Sequence, residues 1–216
     1  MIANLILGLP DQRPGGLVLT LIVAVGSGAT AALLGIAYAS ACVRLPRTSL
    51  LLQAALAILR GVPLLLLIFV LGQTTRLTLP AAGFLALVLY SVSHIGETFR
   101  SFLARYPAPM TDQARLLGIG PVREWLTFRL PWTFRRSLDA LATHWISLLK
   151  DTGALVVLGI GELTTVTKVL SERGSLAEWR TVVLTAGLLY LVTAVLLIRA
   201  LAALRARYAL KDVMSS

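Results

Sequence analysis

Residues 182–198 contain no charged side chain. A run that long and that apolar folds as an α-helix crossing a bilayer, because hydrocarbon offers no water to an unpaired peptide group. Four further runs accompany it. Residues 17–43 are apolar up to Arg44, Pro46 and Arg47, enough to span roughly 30 Å of hydrocarbon. Residues 50–72 are interrupted by Arg60-Gly61 and Pro63, which predicts a broken span whose break faces protein rather than lipid. Residues 79–95 are a shorter run entered through Pro80, and residues 138–158 carry Asp139, His144, Lys150 and Asp151 within an apolar frame. With 181–204 as the last, the pattern predicts an all-α integral membrane protein, a single transmembrane domain over 1–216 with five transmembrane helices. Composition agrees: 57% hydrophobic residues and a mean hydropathy of +0.83 are too apolar for a soluble domain of this size to cover.

A net charge of +10 raises the prospect of nucleic acid, but position matters more than total. With the N-terminus outside and five crossings, thirteen of the twenty basic residues fall on inner segments, Arg207 and Lys211 among them, and five on outer ones. Arg60 and Lys150 lie within the membrane. That asymmetry predicts an external N-terminus and a cytoplasmic C-terminus, and accounts for the basic charge without nucleic acid. The single cysteine, Cys42, excludes a disulfide within the chain. Residues 1–10 lack a basic start and a small-residue cleavage site, so no signal peptide is expected to be removed.

The polar stretch of about 100–136 contains a compact helical signal. Thr111 is the expected N-cap, Asp112 complements the helix dipole, and Gly118 falls at the C′ position. Gly120-Pro121 then begins a second helix through Trp125 and Phe128, expected to stop at Leu130-Pro131. Both helices are too short to cross a bilayer. On periodicity alone they fit an amphipathic hairpin lying on acidic lipid headgroups.

Particular residues point elsewhere. Asp112, Gln113, Ala114, Gly118 and Leu130-Pro131 occupy the places of Glu-Ala-Ala, three residues, Gly, and a later hydrophobic-Pro pair. Arg60-Gly61-Val62-Pro63-Leu64 is similar to an Arg-Gly-Thr-Pro-Leu break, and Ser93-His94-Ile95-Gly96-Glu97 to an Ala-Tyr-x-Ala-Glu segment. Ile146-Ser147-Leu148-Leu149-Lys150-Asp151-Thr152 matches an Ile-Ser-Leu-Leu-Lys-Asp-Thr run, followed by Gly159, Glu162 and Leu163. Together these resemble the permease subunits of binding-protein-dependent ABC importers, in the polar amino acid uptake branch that includes histidine, glutamine and glutamate permeases. The resemblance extends in order over nearly the whole chain. Asp112 stands where the family has Glu, Gln113 where it has the first Ala, and His94 where it has Tyr.

The resemblance implies a type I importer permease fold in the bacterial cytoplasmic membrane, with the loop gripped by a cytosolic ABC ATPase dimer. Leu116, Leu117 and Ile119 are then the buried part of a knob, with Asp112, Arg115 and Arg123 at its rim. It also implies a second permease, identical or homologous, and an extracytoplasmic solute-binding protein, with membrane lipid around the bundle. The chain has no Gly-x-x-x-x-Gly-Lys-Ser/Thr loop, so it is not expected to be an enzyme or to bind a cofactor; ATP and Mg belong to the partner ATPase. Substrates from basic and acidic amino acids to glutamine and opine-like compounds stay open.

Charges inside an apolar frame face the bundle interior. Arg60, Pro63, Glu97, Ser147, Lys150, Asp151 and Thr152 are the candidates for a substrate path, since a zwitterion needs both signs, hydroxyls and broken-helix backbone. The other reading is that Lys150 and Asp151 pair structurally with Arg60 or Glu97. Lys150 and Asp151 point about 100° apart on a helix, so addressing one ligand requires a distortion near Gly153. His144 is expected to be a packed histidine without a second ligand nearby. Gly26, Gly28 and Gly35 mark close helix packing, within the chain or against a second permease. Residues 165–180 read as a solvated outer turn within reach of a solute-binding protein. Two other classes fit less of this pattern: a proton-coupled secondary carrier, which has no visible inverted repeat here, and a non-transporting anchor recruiting a cytosolic protein.

Overall fold

A computed structural model describes residues 1–213; the side chains of Pro46, Leu204 and residues 207–213, including Arg207 and Lys211, lie outside those described. All of its elements are helical: α1 (Ile2–Leu7), α2 (Gly16–Arg44), α3 (Pro46–Gly61), α4 (Leu64–Thr74), α5 (Leu79–Leu103), α6 (Ala108–Leu116), α7 (Pro121–Glu124), a π turn (Trp125–Arg129), α8 (Leu130–Asp151), a 3-10 segment (Thr152–Leu158), α9 (Leu163–Arg173) and α10 (Leu176–Val213). Among the described residues three helices, α2, α5 and α10, are long and apolar enough to cross a membrane, or four if α3 and α4 count as one bent span. The segment at 138–158 is built differently, from a charged helix that ends in a 3-10 stretch.

The longest shared surface is between α2 and α5, and glycine makes it possible. A Cβ on Gly35 would stand 3.0 Å from the backbone nitrogen of Gly96 and 3.1 Å from its Cα. Around this crossing Ala31, Tyr38 and Ala39 of α2 pack on Val88, Val92, Ile95 and Phe99 of α5, with Trp125 and Leu141 beneath. Gly28 faces the Trp145 ring of α8 and Gly26 the Phe84 ring of α5. Gly28 and Gly35 are therefore consumed in packing inside the chain. A second cluster joins Leu67, Ile68, Leu87, Leu148, Leu155 and Leu158, and a third joins Leu5 of α1 to Leu163, Val166, Val182 and Ala186. The outward faces stay apolar, with Leu33, Leu50, Ile58 and Leu184 each more than two-thirds exposed, as a bilayer requires.

Between α3 and α4 the chain turns through 97°. Pro63 lacks an N–H and forces Val62 into extended backbone, where φ is −80° and ψ 123°. The expected break is present, but Arg60, Gly61 and Pro63 are exposed and only Val62 tucks against the core. The bend folds α4 onto α5 and leaves its own corner outside, uncovered by any of the described residues.

Two other stretches differ from the sequence reading. Residues 163–173 are a helix rather than a solvated turn, because the fully buried Glu162 carboxylate accepts hydrogen bonds from the Thr164 and Thr165 N–H groups, both at 2.7 Å. Leu163 and Val166 are buried behind that cap. Gly16 N–H donates to the Gly161 carbonyl at 2.8 Å and Leu163 N–H to Thr20 Oγ1 at 3.1 Å, which ties the start of α2 to the start of α9. Leu130-Pro131 likewise does not stop the helix. Leu130 N–H bonds the Trp125 carbonyl, five residues back, and this widened turn gives the proline ring room that a regular helix would deny it.

Gly35→Val should lower the thermal midpoint of the detergent-solubilised chain, since overpacking costs about 1–3 kcal/mol. A methyl on Gly187 meets nothing within 4 Å, so Gly187→Val should leave the midpoint in place. Equal midpoints for the two variants would refute the α2–α5 close approach.

Candidate functional site

The polar hairpin is α6 and α7 joined through residues 117–120. Helix α6 begins at Ala108 behind Pro107, with proline at the first turn where a missing N–H does no harm. Thr111 is therefore not the N-cap; it lies inside the helix, buried. At the other end the Ile119 N–H bonds the Ala114 carbonyl and the Gly118 N–H the Arg115 carbonyl, each at 2.9 Å. That pair is a Schellman closure, and Gly118 adopts the φ of +70° that it demands. The closure ends α6 on two exposed leucines: Leu116 is 87% exposed and Leu117 78%. Asp112, Gln113, Arg115 and Arg123 are exposed around them, Ala114 is buried under α6 and Ile119 is half-buried. Met110 and Val122 add further exposed apolar surface, which periodicity did not single out. The Asp112–Arg115 pair is 3.7 Å apart and largely solvated, so it adds under about 1 kcal/mol.

What holds the hairpin to the bundle was missed by sequence reasoning. Glu124, only 8% exposed, accepts from Thr111 Oγ1 at 3.0 Å and from Arg129 Nε at 3.1 Å. Arg129 Nη2 donates in turn to Thr111 Oγ1 at 2.8 Å. The Arg129 guanidinium lies 5.0 Å from the centre of the Tyr106 ring, and Tyr106 meets Trp132 edge-on at 5.5 Å. Burial, reinforced by the charge of Glu124, pushes the Tyr106 phenol upward against the opposing effect of Arg129. Residues five apart lie about 140° apart around a regular helix, so Glu124 and Arg129 do not read as a pair. The extra residue of the π turn brings them to one side.

Higher in the bundle, a cavity of about 380 Å³ is lined by Arg60, His94, Glu97, Thr98, Ser101, Ala140, Thr143, His144 and Ser147. Glu97 is held by Arg100, whose Nε donates at 2.8 Å, rather than by Lys150. His144 has a neighbour after all: His94 stacks on it with ring centres 5.5 Å apart and 19° between planes. His94 is fixed in turn by Tyr90, whose carbonyl lies 3.0 Å from Nδ1. His144 Nε2 is buried without a hydrogen-bond partner. Of the substrate-path candidates, Arg60, Glu97 and Ser147 meet in this cleft. Pro63 and Lys150 are exposed off it and Asp151 is half-buried. Thr152 is fully buried, its hydroxyl donating to the Leu149 carbonyl at 2.8 Å. The helix does depart from α geometry near Gly153, as the 3-10 segment, but Lys150 is exposed away from the cleft.

No protein-family profile matches the chain. The chain is 29% identical over 125 residues to the probable glutamine ABC transporter permease protein GlnP of Bacillus subtilis strain 168, covering 56% of this chain and 57% of that protein. It is 27% identical over 178 residues to the nopaline transport system permease protein NocQ of Agrobacterium fabrum strain C58, covering 72% of this chain and 74% of that protein. The chain resembles amino-acid ABC transporter permeases. Its fold is that of a solved chain described as an amino acid ABC transporter with histidines, with a TM-score of 0.77 at 20% identity over 89% of this chain and 92% of that one. The match to the Bacillus permease spans little more than half of that protein's length. In this permease-like frame the hairpin and the cleft occupy separate ends of α8, which begins one residue after Arg129 and carries Thr143, His144 and Ser147 to the cavity.

Because a buried ring nitrogen without a partner costs about 1–3 kcal/mol, His144→Phe, which keeps the stack on His94, should raise the thermal midpoint. A lower midpoint would mean that Nε2 has a partner in the assembled protein.

Proposed function

We propose that the chain is the transmembrane subunit of an ATP-driven importer that moves a polar amino acid or a close analogue across the bacterial cytoplasmic membrane. One observation carries this reading: a short helix, stopped by a glycine closure and braced by a buried charge pair, presents Leu116 and Leu117 to whatever lies beyond the membrane. An apolar tip on a charged, rigid hairpin fits the groove of a protein partner better than water or headgroups. In this reading the partner is a cytosolic ABC ATPase dimer, which binds the ATP and Mg that this chain does not, and Asp112, Arg115 and Arg123 form the rim of the contact. A second permease and an extracytoplasmic solute-binding protein complete the importer. A cytosolic hairpin, and with five crossings an external N-terminus, is supported by the basic residues concentrated on the hairpin side. The cleft suits a polar guest, since Arg60 offers it a positive charge and Ser147 a hydroxyl beside the Glu97 carboxylate that Arg100 already bonds.

The test is purification in mild detergent, followed by liposome reconstitution with the ATPase and binding protein that accompany the chain. ATP-dependent uptake is expected; uphill transport by the chain alone would overturn the reading. Gly118→Val, which forces a β-branched residue into left-handed backbone at about 1–2 kcal/mol, should let ATP hydrolysis continue while uptake falls. Normal uptake in that variant counts against the role of α6. For orientation, Leu116→Cys is expected to react with an impermeant maleimide only from the cytosolic face, with Cys42 silent because it is buried. Labelling from the outside would invert the topology.

A further inference from the structure

We propose that Glu124 and Arg129 are a positioning pair that locks the hairpin to α8, so that a displacement of α6 reaches the cleft as one rigid movement. The inference rests on the importer reading and assigns to these two residues a role that the sequence pattern does not give them. The covalent path from α6 to α8 is soft at two places. The connection after α6 contains Gly118 and Gly120, where an added Cβ would meet nothing within 4 Å. The π turn that follows replaces regular helical bonds by wider ones. Pushed at Leu116, a hairpin held only by these segments would swing about its glycines and leave α8 still.

The triangle of Thr111, Glu124 and Arg129 bridges both soft places. Thr111 belongs to α6, Glu124 ends α7, and Arg129 is the last residue before α8. Each side of the triangle is a hydrogen bond of 2.8–3.1 Å, and Tyr106 covers the guanidinium from the α5 side. Two of the three members are ionic, and Glu124 is almost removed from water, which makes the contact short, directional and intolerant of losing one charge. From Leu130, α8 runs 22 residues to Asp151, about 33 Å at the rise of an α-helix, passing Thr143, His144 and Ser147 at the cleft. The 13 to 17 residues from Leu130 to Thr143–Ser147 make an arm of about 20–25 Å, which converts a small turn at its base into movement of the cleft wall.

The experiment uses the complete complex in liposomes and reads uptake per ATP hydrolysed. Glu124→Gln should lower that ratio about tenfold, while ATPase assembly and the KM for ATP stay as in the wild type. The reversed pair Glu124→Arg with Arg129→Glu should restore most of it. A second readout needs no transport: spin labels at Leu116→Cys and Thr143→Cys, in a Cys42→Ala background, should give a narrow distance distribution that broadens in Glu124→Gln. A wild-type uptake ratio in Glu124→Gln, an unbroadened distribution, or failure of the reversed pair to rescue would each overturn the lock. Absence of ATP-driven uptake by the wild-type complex would instead overturn the importer reading, with the label distances still deciding the lock.

Discussion

Hydrocarbon gives a peptide group nothing to bond with, and the helical build of the apolar segments follows from that condition. The outer faces of α2 and α10 are unbroken helix with leucine and valine outward. Where the backbone leaves regular helix, a specific substitute appears. The π turn bonds Leu130 N–H to the Trp125 carbonyl, and Glu162 supplies two acceptors to the start of α9. At Val62 and Pro63 the backbone is extended and the corner exposed, so irregular backbone there has to line water or another protein in the assembled state.

Charge obeys the same economy. Glu97 is bonded by Arg100, Glu124 by Arg129, and Asp139 reaches Arg205 on α10 at 2.9 Å. The first two pairs are shielded and directional, whereas the third is mostly solvated and contributes little. The cleft differs: Arg60 and a histidine stack stand around it with an unpartnered ring nitrogen. A cavity lined by polar groups suits a polar guest, while the hairpin closes Thr111, Glu124 and Arg129 on one another and presents Leu116 and Leu117 outward among exposed Asp112, Arg115 and Arg123. The chemistry of the two ends is thereby suited to different partners.

Some of this was legible in the residues. The long apolar runs specified α2, α5 and α10, Pro63 specified the break, and Gly118 specified a left-handed helix end. Those signals are local: they depend on one residue's backbone preference or on transfer of one run into lipid. Local rules fail where a partner distant in sequence overrides them. Thr111 looked like a cap until proline started the helix earlier and Glu124 claimed its hydroxyl. Pro131 looked like a stop until a widened turn carried the helix through it. Residues 165–173 looked like a charged turn because the Glu162 cap and the burial of Val166 against α1 and α10 leave no periodic mark.

From residues alone follow the solvent of the chain, the number of apolar runs, the polar hairpin and its glycine end, because each is a property of a short segment and its medium. Only the folded chain decided that His94 stacks on His144, that Arg60, Glu97 and Ser147 share a cavity, and that Glu124 closes on Thr111 and Arg129. Those are meetings between segments, and their geometry depends on helix crossings, on a 97° bend and on one extra residue in a turn. Pro63 marks where the bend falls, but its angle, the crossings and the extra residue have no signature in the order of side chains, because each is set by how whole helices pack.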